Sequence, residues 1–409
     1  MIADSRRASG EASTPGLREV LLDGRSSTVL VALAVAACAF NTVEMMPLGM
    51  LPQITAGLGL SDQQGGVLVS GYAMVIALAT VPLVRLTRRL PRRPLMVALM
   101  VVLSVCTCLF VVSDSLPVTL GSRFATAAAH GLLWSLMGPV AVAHFAPRLR
   151  GRVLSVLAVG ASAAAIVGVP GSTFLGGMFG WWTPFVVVSV LGGLVAAVLG
   201  LTMSGRTVQA HPTGEVRGTR PHVAAFAATL LTVAMTVAAL FVTMTYLPLI
   251  RGDQDPLSPG DLTLLLSVFG LAGTLGAFLV GRWLDKWRAA CLAGGLTMLL
   301  LGLGTWWLWG LGLGSLAIGA AMVGASALIV PLVCQHLLFD SSPLSMPMAL
   351  ALHSLAFNVG VSAGGLVGGL ALRLADPSVL APTSAAIGLA ACVPAAVAVR
   401  TTQCPAGAR

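Results

Sequence analysis

Apolar residues in this chain come in long runs. Twelve stretches stand out, at about 28–50, 65–84, 95–112, 117–142, 153–175, 183–203, 223–250, 261–281, 289–309, 313–338, 345–372 and 379–399. Each is about as long as a bilayer-spanning helix, which needs about 20 predominantly apolar residues. Short polar breaks separate them, the least marked near Ser115 and between Gly310 and Gly314. The pattern predicts an all-α membrane protein with twelve transmembrane helices. Two interruptions are longer. The polar stretch Met1–Ser27 precedes the first run, and Ser204–Pro221 divides the chain six plus six. The predicted organisation is an N-terminal tail (1–27), a six-helix bundle (28–203), a central loop (204–221), a second six-helix bundle (222–400) and a C-terminal tail (401–409). No short apolar core with a small-residue cleavage site precedes the first run, so that helix is expected to be retained.

The halves echo each other. Leu51-Pro52-Gln53-Ile54 closes the first run, and Leu247-Pro248-Leu249-Ile250 closes the seventh, 196 positions later. The basic break after the second run recurs after the eighth, with Arg92 answered by Arg288 at the same offset. Parallel six-helix repeats are a transporter architecture, with the substrate site between the halves near the bilayer midplane.

Composition narrows the class. Of the 409 residues, 57% are hydrophobic and only 9% charged, against about 25% charged in soluble domains. This excludes an ordinary soluble enzyme, a disordered chain and a disulfide scaffold. The net charge of +9 looks like a nucleic-acid signal until the 23 basic residues are placed. The N-tail, the breaks at 85–94, 146–152, 204–221 and 282–288, and the C-tail hold twenty of them, all on alternate segments. The opposite set of loops holds only Arg251 and Arg373, and Arg123 falls within a span. Twenty against two is a positive-inside signal that puts both termini in the cytoplasm. Charge therefore records orientation, and no nucleic-acid partner is expected. Trp181, Trp182, Trp306, Trp307 and Trp309 at outer ends, with Trp283 and Trp287 at an inner end, read as interface anchors. Arginine outnumbers lysine 22 to one, a coding bias pointing to a bacterial inner (cytoplasmic) membrane.

Of the acidic and basic residues, only Glu44 and Arg123 lie well within spans. Each costs about 2.5–3.5 kcal/mol at a span's centre on insertion scales, so such groups face a cavity or each other. Both fall in the outer half of the membrane, so they can pair, either as a lock on the first bundle or as a responsive carboxylate beside a fixed cation. Arg123, Ala127, His130 and Trp134 fall within about 60° of one another at about 100° per residue. A cation, an imidazole that titrates near neutrality and an indole able to stack on a sugar, base or aromatic drug thus share one stripe. The second half is poorer in charge. His353, Phe357 and Gly360 share a face of the eleventh run with Asn358 nearby, and the seventh carries Thr243, Thr245 and Tyr246. One acidic and one largely uncharged wall suit a neutral or weakly cationic organic solute. The candidate cavity is Asn41, Glu44, Arg123, His130, Trp134, Tyr246, His353, Phe357 and Asn358, with Glu44 and His130 as candidates for proton coupling.

Glycine and proline punctuate the fifth run at Gly160, Gly168, Pro170, Gly171, Gly176 and Gly177. They predict close helix packing and a kink that would serve rocking. The seven cysteines show no redox or zinc spacing and read as apolar filler. No Walker-type phosphate loop and no paired zinc-ligand cluster appear. The chain is expected to be no enzyme, to need no cofactor or metal, and to work as a monomer in the bilayer on a small molecule and protons.

The run Asn41-Thr42-Val43-Glu44-Met45-Met46-Pro47-Leu48-Gly49-Met50 resembles the first helix of the major facilitator superfamily. Within it, the twelve-span drug:proton antiporters, which include sugar-efflux, arabinose-efflux and chloramphenicol exporters, are the most similar branch. Arg123 with His130-Gly131, Pro147-Arg148-Leu149-Arg150-Gly151-Arg152, Gly168-Val169-Pro170-Gly171, Gly281-Arg282-Trp283-Leu284-Asp285-Lys286 and Phe357-Asn358-Val359-Gly360 extend the likeness over nearly the whole chain. The resemblance implies two pseudo-symmetric six-helix bundles and proton-coupled efflux by alternating access. It also implies a gate in the basic loops, here Arg88, Arg92, Arg282, Asp285 and Lys286. The alternative is proton symport or facilitated uptake of a small polar solute. Two departures stand out. Thr87 stands about where the loop after the second helix normally carries an acid, and the fifth helix lacks an unbroken Gly-Pro pair.

Overall fold

The computed structural model describes residues 24–113, 115–146, 149–203, 222–251, 255–344 and 346–403. The central loop 204–221, most of the N-terminal tail, and Pro147 and Arg148 lie outside the described residues. Twelve helices among those described are long and apolar enough to cross a membrane. They are Gly24–Met45, Asp62–Thr87, Arg92–Val112, Leu116–Val142, a fifth in three pieces, Thr183–Thr202, Val223–Met244, Pro259–Gly281, Leu284–Leu308, Leu313–Ser341, Met346–Leu374 and Leu380–Gln403. The second and eighth spans open on the same device. Ser61 and Gln64 form a capping box at the head of one, Ser258 and Asp261 at the head of the other. Each satisfies two backbone N–H groups that a helix start would leave free.

Two helices depart from a simple rod. The first run is two helices, Gly24–Met45 and Pro47–Leu58, with the break at Met46. Pro47 has no N–H, so the carbonyl of Val43 loses its partner four residues on. The fifth span runs as Arg150–Ala163, a widened π turn Ala164–Gly168 and Val169–Phe179. Pro170 likewise withdraws its N–H there, and an extra residue per turn is a usual response.

The spans alternate between two ends. At one end Arg25 Nε donates to the Thr202 carbonyl at 2.9 Å, Arg93 to that of Gly200, and Arg288 pairs with Asp340. We call this the basic end. At the far end Arg251 Nε donates to the Leu311 carbonyl at 2.7 Å and Trp306 Nε1 to that of Leu316 at 3.2 Å. One apolar core is built from spans one to six and a second mainly from spans seven to twelve, the latter taking in Leu48, Val69, Ala73 and Val169.

The halves meet through spans two with eleven and five with eight, and through Pro47–Leu58 against Leu247–Leu249. The two matching tetrapeptides therefore touch: Leu51, Tyr246 and Leu249 belong to one cluster. These contacts lie from mid-depth to the far end. Ser70 abuts Gly365, Gly177 abuts Pro259, and Gly270 packs on the main chain of Ala165 beside the π turn. Toward the basic end, Trp134 and Ser135 of the fourth span are exposed. Tyr246 closes the far end. It is wholly buried, donates to the Gly365 carbonyl at 2.9 Å, and its ring and hydroxyl lie where side chains at Gly66, Gly368 and Gly369 would stand. Gly66→Val drives a side chain into that hydroxyl, so it should prise the far end open. A cysteine introduced by Ser70→Cys, in an otherwise cysteine-free chain, should then label faster from the far side. Unchanged labelling would contradict this role for the Tyr246 contact.

The tryptophans divide. Trp182, Trp283, Trp287, Trp307 and Trp309 are exposed as interface anchors would be, but Trp306 is 2% exposed. Its indole fills the space a side chain at Gly319 would take, and its N–H is bound within the protein. Trp181 packs edge-on against Phe110 and Phe185. Trp306 is therefore not free to sit at a lipid interface, and Trp181 is half-buried.

Candidate functional site

The stripe read on the fourth span faces the first, second and third. Arg123 is 2% exposed, and its guanidinium finds the broken first span. Nη1 donates to the Val43 carbonyl at 2.7 Å and Nη2 to the Glu44 carbonyl at 3.2 Å. The first of these is the carbonyl that Pro47 frees. A guanidinium with several donors in a fixed fork suits two neighbouring acceptors, and the C-terminal end of a helix favours positive charge. Its Cζ also lies 4.2 Å from the centroid of Tyr72, within cation–π range. The expected Glu44–Arg123 pair is thus corrected in kind. Arg123 binds the main chain at the break, and the Glu44 carboxylate turns to His130.

Glu44 Oε2 lies 3.5 Å from His130 Nδ1. Tyr72 Oη is 3.3 Å from the same nitrogen. On the other side of the ring, Trp134 Nε1 donates to His130 Nε2 at 2.7 Å, with Asn41 Oδ1 a second acceptor at 3.2 Å. Asn41 Nδ2 donates to the Ala161 carbonyl of the fifth span at 3.3 Å, which fixes the amide's orientation. Phe40 stacks on the imidazole with centroids 5.2 Å apart.

This geometry admits two hydrogen arrangements. An indole N–H only donates. While it donates to His130 Nε2, the ring hydrogen sits on Nδ1, facing Glu44 and Tyr72. If the indole donates to Asn41 instead, Nε2 is freed to carry the hydrogen and donate to Asn41 Oδ1, 3.2 Å away. Nδ1 then becomes an acceptor facing the carboxyl group. His130 is 2% exposed and Trp134 43%, so the chain Glu44–His130–Trp134 links a half-buried carboxyl group to an exposed indole.

The other expected residues stand elsewhere. Tyr246 is the far-end plug and lines no cavity here. His353 Nε2 lies 3.1 Å from the Pro331 carbonyl of the tenth span. Asn358 Nδ2 donates to the Ser354 carbonyl of its own helix at 2.9 Å, and Phe357 packs against the second core. None of the four joins the cluster around His130. Thr243 Oγ1 meets Ser384 Oγ of the twelfth span at 2.5 Å, so the seventh span turns that hydroxyl away as well. In the loops, Arg88, Arg282 and Lys286 are exposed and Arg92 is half-buried. The Asp285 side chain lies outside the described residues. Thr87, at the place of the missing acid, is buried and donates to the Leu83 carbonyl at 2.7 Å, so it is spent within its own helix.

Tyr72 and Phe40 complete the site and were not predicted. Tyr72 is one of only two tyrosines in the chain, which is the one signal that marked it.

A bundle of twelve apolar spans among the described residues, with a half-buried carboxyl group facing a buried imidazole, is the build of a secondary transporter. A family model described as Major Facilitator Superfamily matches residues 33–258, more than half the chain. Two chloramphenicol efflux pumps of Mycobacterium tuberculosis, from strains CDC 1551 and H37Rv, are 30% and 31% identical over 377 residues, spanning 90% of this chain and 91% of each pump. Among solved structures, the nucleoside transporter NupG superposes with a TM-score of 0.70 at 9% identity, covering 91% of this chain and 99% of that one. A bacterial homologue of the human lysosomal transporter Spinster, inward-facing and unoccupied, gives 0.65 at 18% identity with 93% of each chain covered. The chain belongs to the Major Facilitator Superfamily, and its fold is the one these transporters share.

Proposed function

We propose that the protein exports a small, partly aromatic drug-like solute across the bacterial cytoplasmic membrane in exchange for protons. The observation that carries this reading is the relay Glu44–His130–Trp134, which ties a half-buried carboxyl group to an exposed indole toward the basic end. The arginine excess on that side supports placing the basic end, and both termini, in the cytoplasm. Substrate enters there and meets Trp134. Its arrival disturbs the indole N–H, which moves from His130 to Asn41 or to the solute. His130 changes which nitrogen holds its hydrogen, and the Glu44 proton has a path out. The halves 28–203 and 222–400 then rock about the π turn and Gly270, parting Tyr246 from its glycine seat. Arg88 and Arg92 on one side, with Arg282, Asp285 and Lys286 on the other, would close over the basic end. Protonation of Glu44 from the far side resets the cycle.

The pumps at 30–31% identity make chloramphenicol the first solute to try. It is neutral, with a flat aromatic ring for Trp134 and hydroxyl and amide groups for Asn41. Export predicts that overexpression lowers cellular accumulation of the drug; raised accumulation would instead support uptake. Trp134→Ala should raise KM for aromatic solutes by about 2–10-fold, the worth of one ring-stacking contact. Trp134→Phe keeps the ring and loses the N–H, so it should hold KM near the parent value while flattening the pH dependence of transport. Equal effects of both substitutions on KM and on the pH profile would sink the relay.

A further inference from the structure

Away from the central space, a groove of about 370 Å³ opens on the outer surface of the second half. Its floor runs along the ninth span, and Val280 of the eighth span and Ile329 of the tenth form its sides. Trp283 and Trp287 flank it, 56% and 57% exposed, and Met298, 41% exposed, marks its deep end. Backbone geometry builds the mouth. Trp287 sits in a non-helical conformation (φ −126°, ψ 37°) between two helical pieces, which sets the two indoles apart on either side. Gly294 leaves the middle of the floor bare, because a side chain there would meet nothing within 4 Å.

Three features define the occupant. The lining is almost wholly apolar. From Trp287 to Met298 the helix rises about 16 Å at its usual pitch, against about 15 Å of hydrocarbon in one leaflet. The mouth lies at the basic end, where Arg282 and Lys286 are exposed. Lys286 Nζ lies 5.6 Å from the Trp287 ring, beside an indole of the mouth, and the guanidinium of Arg282, next in sequence to Trp283, rests 5.2 Å from the Phe278 ring. We propose that this groove is a binding site for one anionic phospholipid, with an acyl chain along Gly294 and the phosphate between Arg282 and Lys286. The groove is lined by none of Glu44, His130 and Trp134, so the site stands or falls independently of the proton relay.

The test uses the full chain in detergent, with native mass spectrometry after adding phosphatidylglycerol or phosphatidylcholine bearing identical acyl chains. The parent protein should retain phosphatidylglycerol over phosphatidylcholine by about tenfold or more, as two near-surface cations imply. Gly294→Phe fills the groove and should remove bound lipid of both kinds. The double substitution Arg282→Gln with Lys286→Gln, at exposed positions that leave the core untouched, should erase the preference while keeping the phosphatidylcholine level. Equal retention of the two lipids by the parent, or unchanged retention in Gly294→Phe, would overturn the site.

Discussion

Glu44→Gln should abolish proton-driven transport and leave solute exchange intact. In inverted membrane vesicles with an imposed pH gradient, the parent protein should accumulate drug against its concentration, and the variant should only equilibrate it. The amide keeps the shape and polarity of the carboxyl group but cannot take up or release the coupled proton. Counterflow, in which labelled solute enters against unlabelled solute inside, needs only the rocking cycle and should persist. The pH dependence of that exchange should also flatten. The proposal also separates Glu44 from His130. His130→Asn cuts the link between carboxyl group and cavity, so it should slow coupled transport while leaving some uphill accumulation. If Glu44→Gln pumps as well as the parent, the proton is carried elsewhere.

Arg123→Leu should be the most destabilising single substitution in the first half. The guanidinium contributes two donors to carbonyls at the break in the first span and a face to Tyr72. Its loss leaves the Val43 carbonyl buried without a partner, since Pro47 offers no N–H. A buried acceptor left bare costs about 1–3 kcal/mol, and the lost desolvated contact with the Tyr72 ring adds about 1–2 kcal/mol. The melting temperature in detergent should fall sharply. Arg123→Lys should fall in between, because a single ammonium cannot fork to both carbonyls and stack on the ring. Melting of Arg123→Leu within a degree or two of the parent would show that the break is held by something else.

The twelve spans were legible because bilayer thickness imposes run length directly on the sequence. The fourth-span stripe was legible too, since helical periodicity alone puts Arg123, His130 and Trp134 together. Their partners were not. That Arg123 would prefer main-chain carbonyls to the Glu44 carboxylate depends on a helix break at Met46, and a proline's missing N–H tells only which carbonyl is freed. Tyr72 reaches His130 across 58 positions, which no local pattern encodes. Trp306 sits at a span's end by sequence but is buried because Gly319 of the next span vacates a slot for it. Tyr246, His353, Phe357 and Asn358 carry polar or aromatic groups of the right kind, yet Tyr246 and His353 bond to other helices, Phe357 packs into the second core and Asn358 bonds within its own helix. Residue type and span were readable there. The rotation of each helix about its axis, which packing decides, was not.

Opposite movement of solute and proton is the core of the proposal, and purified protein in liposomes reads it directly. Chloramphenicol is added outside vesicles whose interior is made acidic or alkaline, and its accumulation is followed over time. Antiport predicts uphill accumulation when the interior is acidic, collapse of the gradient as drug enters, and none of this with Glu44→Gln. Accumulation only when the exterior is acidic would mean symport, and equal entry under both gradients would mean that solute moves without protons.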